Sequence, residues 1–238
     1  MVDLLEVFTI TWNEEKYIQE FINFYRNKIP NCKITLIDNE STDNTVKIAL
    51  SNNCNIITYN TQNTLNDLRY LEIKNNCWKQ STCEWVAIVD ADEYIDLTYT
   101  DLCNANWNIN QCSGFEMISD TLSSDAFVHL TLGVPMPHYS KTCLFKREHI
   151  KEINYNLGAH TCTPIPHENK KLLYNTTPFR LFHTKWRNLE YVILKHKQYR
   201  NRMSTYNKKN RVAGHYYKTE QQIIKQYNIY TATAVKIR

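Results

Sequence analysis

Glycine is scarce in this sequence, with four in 238 residues. That scarcity excludes the glycine-rich phosphate loops, and neither G-x-x-x-x-G-K nor G-x-G-x-x-G occurs. No run of 18 apolar residues exists, so no transmembrane segment is expected. The first residues, from Met1 to Ile10, hold acids where a secretory leader needs a basic start, and they lack a small-residue cleavage site. The eight cysteines form no C-x-x-C pair, which argues against a zinc knuckle. Without an export signal, the expectation is a cytoplasmic protein with reduced thiols.

What is present suits one domain with a substantial core, because 42% of residues are hydrophobic and only 22% charged. The net charge of +4 hides a division. Residues 1–179 carry 14 basic and 22 acidic side chains, whereas residues 180–238 carry 14 basic and only 2 acidic ones. A basic block of this kind suits nucleic acid, an anionic surface or a polyphosphate ligand, or else faces solvent.

The first ninety residues alternate short β-rich runs with helical patterns. Strands are expected at 4–10, 33–38, 55–59 and 85–90. Between them, Ile18, Phe21, Ile22 and Tyr25 make one helical stripe, Val46, Ala49 and Leu50 a second, and Leu68, Leu71, Ile73 and Trp78 a third. Such alternation predicts an α/β fold: a Rossmann-like parallel sheet with helices on both faces. Ligands on such sheets bind beyond the carboxyl ends of the strands, where Thr11, Asn13, Asp38, Asp90 and Asp92 fall. Further β-like runs lie at 114–118, 142–146 and 179–183. The chain then closes on two helices, the last with a Thr219/Gln222 capping box and a stripe of Ile223, Tyr227, Tyr230, Ala234 and Ile237.

The strongest chemical signal is Val89-Asp90-Ala91-Asp92-Glu93, three acids on a short turn after an apolar strand. Carboxylates buried together raise one another's pKa, and a divalent cation relieves the conflict. Hard oxygen ligands at a strand end suit Mg2+ or Mn2+ held against a diphosphate.

In combination these segments resemble the GT-A glycosyltransferases, family 2 in particular. In that family a D-x-D follows the fourth strand and binds ribose and metal. The resemblance thus implies that Asp90 contacts ribose or metal and that Asp92 is a metal ligand. The run Ile10-Thr11-Trp12-Asn13-Glu14-Glu15 looks like the family's opening segment, which places Thr11 and Asn13 beside the nucleotide. The run Asp38-Asn39-Glu40-Ser41-Thr42-Asp43-Asn44-Thr45 looks like its D-D-x-S-x-D-x-T signature, departing at Asn39. By that likeness Asp38 accepts a hydrogen bond from the base ring, favouring uracil or thymine. Arg69 and Asn75 match an R-x-x-x-x-x-N pattern whose arginine lies near the nucleotide. Segments 139–145, 154–160, 181–185 and 214–216 are similar to those of a small soluble subgroup.

GT-A enzymes commonly complete the metal site with a histidine from the C-terminal region, which implies His183 as the second metal ligand. A neutral imidazole suits Mn2+ better than Mg2+. Lys185, two residues on in an extended segment, points the same way and suits the departing diphosphate, with Arg187, Arg200 and Arg202 following on a helix. The base that deprotonates the acceptor stays open between His160 and Asp120.

The expected activity is metal-dependent, inverting transfer from a UDP- or dTDP-type sugar to an acceptor hydroxyl on a glycan, lipid-linked or protein partner. A sugar-nucleotide pyrophosphorylase would want the glycine-rich loop this chain lacks. A nucleic-acid-binding module using the basic C-terminus would bring a phosphate backbone against an acidic body, so no nucleic acid is expected. The whole chain reads as a single domain: 1–96 for the nucleotide, 97–185 for acceptor and metal, and 186–238 as a basic helical extension.

Overall fold

The computed structural model describes residues 3–119 and 125–238. The apolar runs of the first half become strands β1 (Leu5–Thr11), β2 (Lys33–Asp38), β3 (Asn55–Thr58) and β4 (Trp85–Ile88). All three pairings among them are parallel, in the order β4-β1-β2-β3, with Thr11 opposite Asp38 and Asp38 opposite Thr58. Successive side chains on β1 alternate in direction, so Val7 and Phe8 enter cores on opposite faces. Helices α1 (Ile18–Lys28) and α2 (Thr45–Ser51) cover the first face, burying Phe21, Ile22, Tyr25 and Ala49. Helix α3 (Asp67–Asn76) and a 3-10 turn over Cys77–Gln80 cover the second, where Trp78, Tyr70 and Leu71 meet Phe8, Ile37 and Ile88. The expected α/β sheet with helices on both faces is present.

The second half extends this sheet. Its elements are β5 (Glu93–Ile95), α4 (Tyr99–Cys103), β6 (Ile109–Ile118), β7 (Leu132–Pro135), β8 (Lys141–Lys146), β9 (Ile150–Glu152), β10 (Ile165–Pro166) and β11 (Arg180–His183). β8 runs antiparallel between β4 and β6. β11 slots between β5 and β6, antiparallel to the first and parallel to the second, so His183 lies opposite both Glu93 and Glu116.

Three helices follow: α5 (Leu189–Asn201), α6 (Thr205–Asn210) and α7 (Glu220–Thr233), capped by Asn188, Ser204 and Thr219. The predicted stripe of the last helix runs too far. Ala234 turns the chain extended (φ −64°, ψ 140°), and β12 (Val235–Lys236) pairs antiparallel with β7. Pairing with an open sheet edge satisfies backbone groups that a further helical turn would leave to solvent. Far from being a free extension, the 186–238 segment is stitched to the first half. Leu65 N donates to Arg202 O (2.6 Å), Ser204 N to Leu65 O (3.0 Å) and Asp67 N to Asn207 Oδ1 (3.1 Å).

One glycine is required by a close approach. Gly114 lies on β6 where residues 136–140 cross it, with Met136 N donating to Gly114 O (2.8 Å) and Gly114 N donating to Ser140 Oγ (3.1 Å). A Cβ there would meet Met136 O and the Tyr139 carbonyl carbon at 2.7 Å. Gly114→Ala should therefore cost about 1–3 kcal/mol of stability, as overpacking does. Calorimetric melting of the variant checks this, and an unchanged Tm would mean that the crossing segment yields freely.

Candidate active site

A cavity of about 620 Å³ opens at the carboxyl ends of β1 and β4. At its centre is the turn after β4. Glu93 N donates to Asp90 O (2.9 Å) and Asp90 N donates to Glu93 Oε2 (2.8 Å), which closes the turn on itself. Two lysines neutralise it from opposite sides. Lys74 Nζ, from α3, lies 2.6 Å from Asp90 Oδ1, and Lys141 Nζ, from β8, lies 2.5 Å from Glu93 Oε2 and 3.4 Å from Asp90 Oδ2. Burial works to raise the Asp90 pKa, but Lys141 and Lys74 outweigh it and hold the carboxyl well below its usual range.

Asp92, the middle acid, points elsewhere. Its Oδ2 is 3.5 Å from His183 Nε2, and its backbone oxygen accepts Thr184 N (2.8 Å) and Thr184 Oγ1 (2.9 Å). The other His183 nitrogen, Nδ1, meets the buried Glu116 Oε2 at 2.5 Å, while Glu116 Oε1 accepts Trp186 N (2.9 Å). Burial pulls the His183 pKa down, yet the Glu116 and Asp92 carboxylates together push it up to about 9. A carboxylate facing an imidazole whose far nitrogen is held by a second carboxylate is a donor set that fits a divalent cation. Among the described residues no group of three His, Cys, Asp or Glu side chains is arranged to enclose a metal alone. The remaining ligands would have to come from a substrate.

Thr11, Asp90, Asp92, His160, His183 and Lys185 all line the cavity. Lys185 Nζ lies 4.2 Å from the Tyr216 ring centroid, and burial lowers its pKa to about 8 against the pull of Asp92 and Glu116. His160 stacks near Tyr139, with ring centroids 6.1 Å apart. Burial and the Lys141 charge lower its pKa to about 4, and its buried Nδ1 has no hydrogen-bond partner.

The other candidates lie outside the lining. Asp38 is buried, and its carboxylate accepts Thr11 Oγ1 (3.2 Å), Ser41 N (2.9 Å) and Ser41 Oγ (2.6 Å), fixing the loop behind the cavity wall. Asn13, in the left-handed region (φ 52°), ties its side chain to Thr42. Arg69 is half-buried and pairs with Glu72 at 2.5 Å. Lys74, five residues on, faces the cavity. Asn75 clamps the 154–160 loop, with Oδ1 accepting Tyr155 N at 2.7 Å. Arg187 is buried against α1, bound to Glu20 (2.6 Å) and Thr184 Oγ1 (2.7 Å), and does not reach the cavity. Asp120 lies outside the described residues.

Sequence reasoning also missed Glu14 and its partners. Glu14 Oε1 accepts Lys195 Nζ (2.7 Å), and Oε2 accepts Tyr191 Oη (3.1 Å). Lys195 Nζ also donates to Asn13 O (2.9 Å), so α5 is bolted to the end of β1. Lys141 was missed too, and for it an electrostatic signal existed: three acids on one turn demand nearby cations, and Lys141 stood in a segment already singled out.

Residues 6–99 match the family model described as glycosyl transferase family 2. Over that segment, less than half of the chain, the protein is similar to family 2 glycosyltransferases. No curated protein matches the chain by sequence. Among solved structures, S. aureus TarS 1-349 is similar at a TM-score of 0.46 and 18% identity, covering 82% of this chain and 65% of that one. The same protein in complex with UDP gives 0.44 and 16%, covering 94% and 70%. Glucosyl-3-phosphoglycerate synthase from Mycobacterium tuberculosis, in complex with Mn2+, UDP and glucosyl-3-phosphoglycerate, gives 0.42 and 12%, covering 66% and 62%. This chain spans less than two thirds of the first of these proteins and 43% of a longer TarS structure.

The lysines at the acidic turn yield a stability test. Lys141→Met should cost about 3–5 kcal/mol, the range for removing one partner of a buried ion pair. Adding Glu93→Gln should recover part of that loss, as a double-mutant cycle in urea would register. Strict additivity of the two substitutions would mean that the pair is not coupled.

Proposed function

We propose that this protein is a glycosyltransferase that moves a sugar from a nucleoside diphosphate donor to an acceptor hydroxyl, with a divalent cation and inversion at the anomeric carbon. The observation that carries the reading is the grouping of Asp92, His183 and Lys185 in one cavity whose other central acids, Asp90, Glu93 and Glu14, each hold a lysine. Among the described residues no carboxylate lies within ion-pair distance of Lys185. An anion with two phosphoryl groups supplies the charge that this arrangement leaves open.

In this reading Asp92 and His183 hold Mn2+ or Mg2+, which supplies Lewis-acid stabilisation of the departing diphosphate when bound. Lys185 donates to the same oxygens as negative charge develops on them. The base lies toward Trp12, Leu65 and Tyr70, on the planar face that Trp12 offers, with Asp38 and Thr11 shaping that end from behind. The likeness of residues 38–45 to the family signature favours uracil or thymine there. Asp90, between two lysines, is placed to accept from the ribose. His160 takes the acceptor's proton: it lines the cavity as a neutral imidazole, and a bound diphosphate nearby raises its proton affinity. A single displacement with one base on the acceptor side inverts the anomeric centre. The acceptor is a hydroxyl compound reaching the Tyr139 and His160 side of the cavity.

Two variants test the centre. Asp92→Ala should lower turnover by more than about a hundredfold and abolish Mn2+-dependent tightening of UDP binding, since it removes the one carboxylate assigned to the cation. Wild-type turnover in Mn2+ would sink the assignment. Lys185→Ala should slow transfer about tenfold, equivalent to roughly 1.4 kcal/mol of transition-state stabilisation. Its melting temperature should barely move, because substitutions away from packed cores usually change stability by about 0.5 kcal/mol or less. A large fall in Tm with normal turnover per folded molecule would make Lys185 structural.

A further inference from the structure

Against Trp12, in the wall of the cavity, packs a residue from outside the family 2 segment. Arg202 caps the end of α5, and its guanidinium carbon lies 3.5 Å from the centroid of the Trp12 ring. The residue is 6% exposed. Its Nε donates to Asn63 O (3.1 Å) and Asn63 Oδ1 (3.0 Å), which fixes the plane of the group. Neither Nη finds a protein acceptor in hydrogen-bond geometry, and among the described residues no carboxylate pairs with it. Its backbone is held as firmly as its side chain, since Arg202 O accepts Leu65 N at 2.6 Å.

A buried guanidinium without a counter-ion is costly, and native proteins keep such groups where something repays the cost. Here the group's main partner is an aromatic face. Cation–π attraction is strongest when the cation is desolvated and has no carboxylate competing for it, and both conditions hold. Trp12 also lines the cavity, so the ring that Arg202 packs against borders the space a planar base would enter. Trp12 directly precedes Asn13, which is itself pinned by Thr42 and Lys195.

We infer that Arg202 is a positioning residue that holds Trp12 as the stacking platform for the donor's base, so that the α5–α6 junction is part of the nucleotide site. This rests on the donor reading above. The affinity for the base is therefore set jointly by the end of β1 and by a residue 190 positions later. The phosphates, gripped at the Asp92 and Lys185 end, are indifferent to it.

The test is to titrate UDP and inorganic pyrophosphate, each with Mn2+, into wild type, Arg202→Met and Arg202→Lys. Binding is read by calorimetry and by quenching of tryptophan emission. Arg202→Met should weaken UDP about tenfold, a change within reach of one desolvated cation–π contact. Pyrophosphate should bind the same variant within about twofold of wild type, because it has no base to stack. Arg202→Lys, which keeps a cation over the ring, should recover most of the lost UDP affinity and quenching. If Arg202→Met binds UDP like wild type, or loses UDP and pyrophosphate alike, the assignment of Arg202 is overturned. If wild type binds pyrophosphate with no gain from the uridine, the donor reading itself falls, and with it the role given to Trp12.

Discussion

The pairing of Asp90 and Glu93 with Lys74 and Lys141 is the constraint on which the rest of the site depends. Carboxylates crowded at a strand end cannot all ionise unaided in a buried setting. Each lysine comes from a different element, so neutralising the turn also fixes α3 and β8 around it. The geometry also sorts the acids. Asp90 and Glu93 are held by lysines, whereas Asp92 is turned toward an imidazole.

A second layer of contacts delivers the opposing wall. β11 lies between β5 and β6, and this placement brings His183 to Asp92 and to Glu116 at once. The Thr184 bonds to the Asp92 carbonyl hold the two strand ends in register. From the other direction, Lys195 reaches Glu14 and the Asn13 carbonyl. Residues 6–99 supply the acids, and many of the cations that answer them come from beyond that segment. Lys185, Lys195 and Lys218, from the basic portion of the chain, thus line the same cavity as the acids of the first half.

Much of this was legible in the sequence. The four parallel strands and their helices follow from alternating apolar runs, and the acid-rich turn falls where such sheets bind ligands. Two motifs and an extended spacing point to Asp92, His183 and Lys185, and the fold brings these three to one cavity. Arg69 could not be separated from Lys74 by pattern, because the difference lies in which of them faces the cavity. Asp38 reads as a ligand-facing acid, and only the positions of Ser41 and Thr11 reveal that its oxygens are already engaged. The Glu14–Lys195 and Trp12–Arg202 contacts span more than 180 residues, beyond the reach of any local pattern. The end of α7 was misjudged for a similar reason, since a distant sheet edge outcompeted helical periodicity at Val235.

The distance between Glu14 and Lys195 along the chain also bears on how the molecule comes into being. Contacts of long sequence separation bear a large loop-closure entropy and form after local ones. During synthesis, chains emerge at about 5–20 residues per second and N-terminal units fold first. The parallel strands of residues 6–99 can therefore assemble while the partner of Glu14 is still untranslated. Until Lys195 arrives, that carboxylate stays hydrated and the end of β1 stands open. The cavity is thus the last part of the protein to become whole, and a half-made chain carries the acids of the site without the wall that completes it.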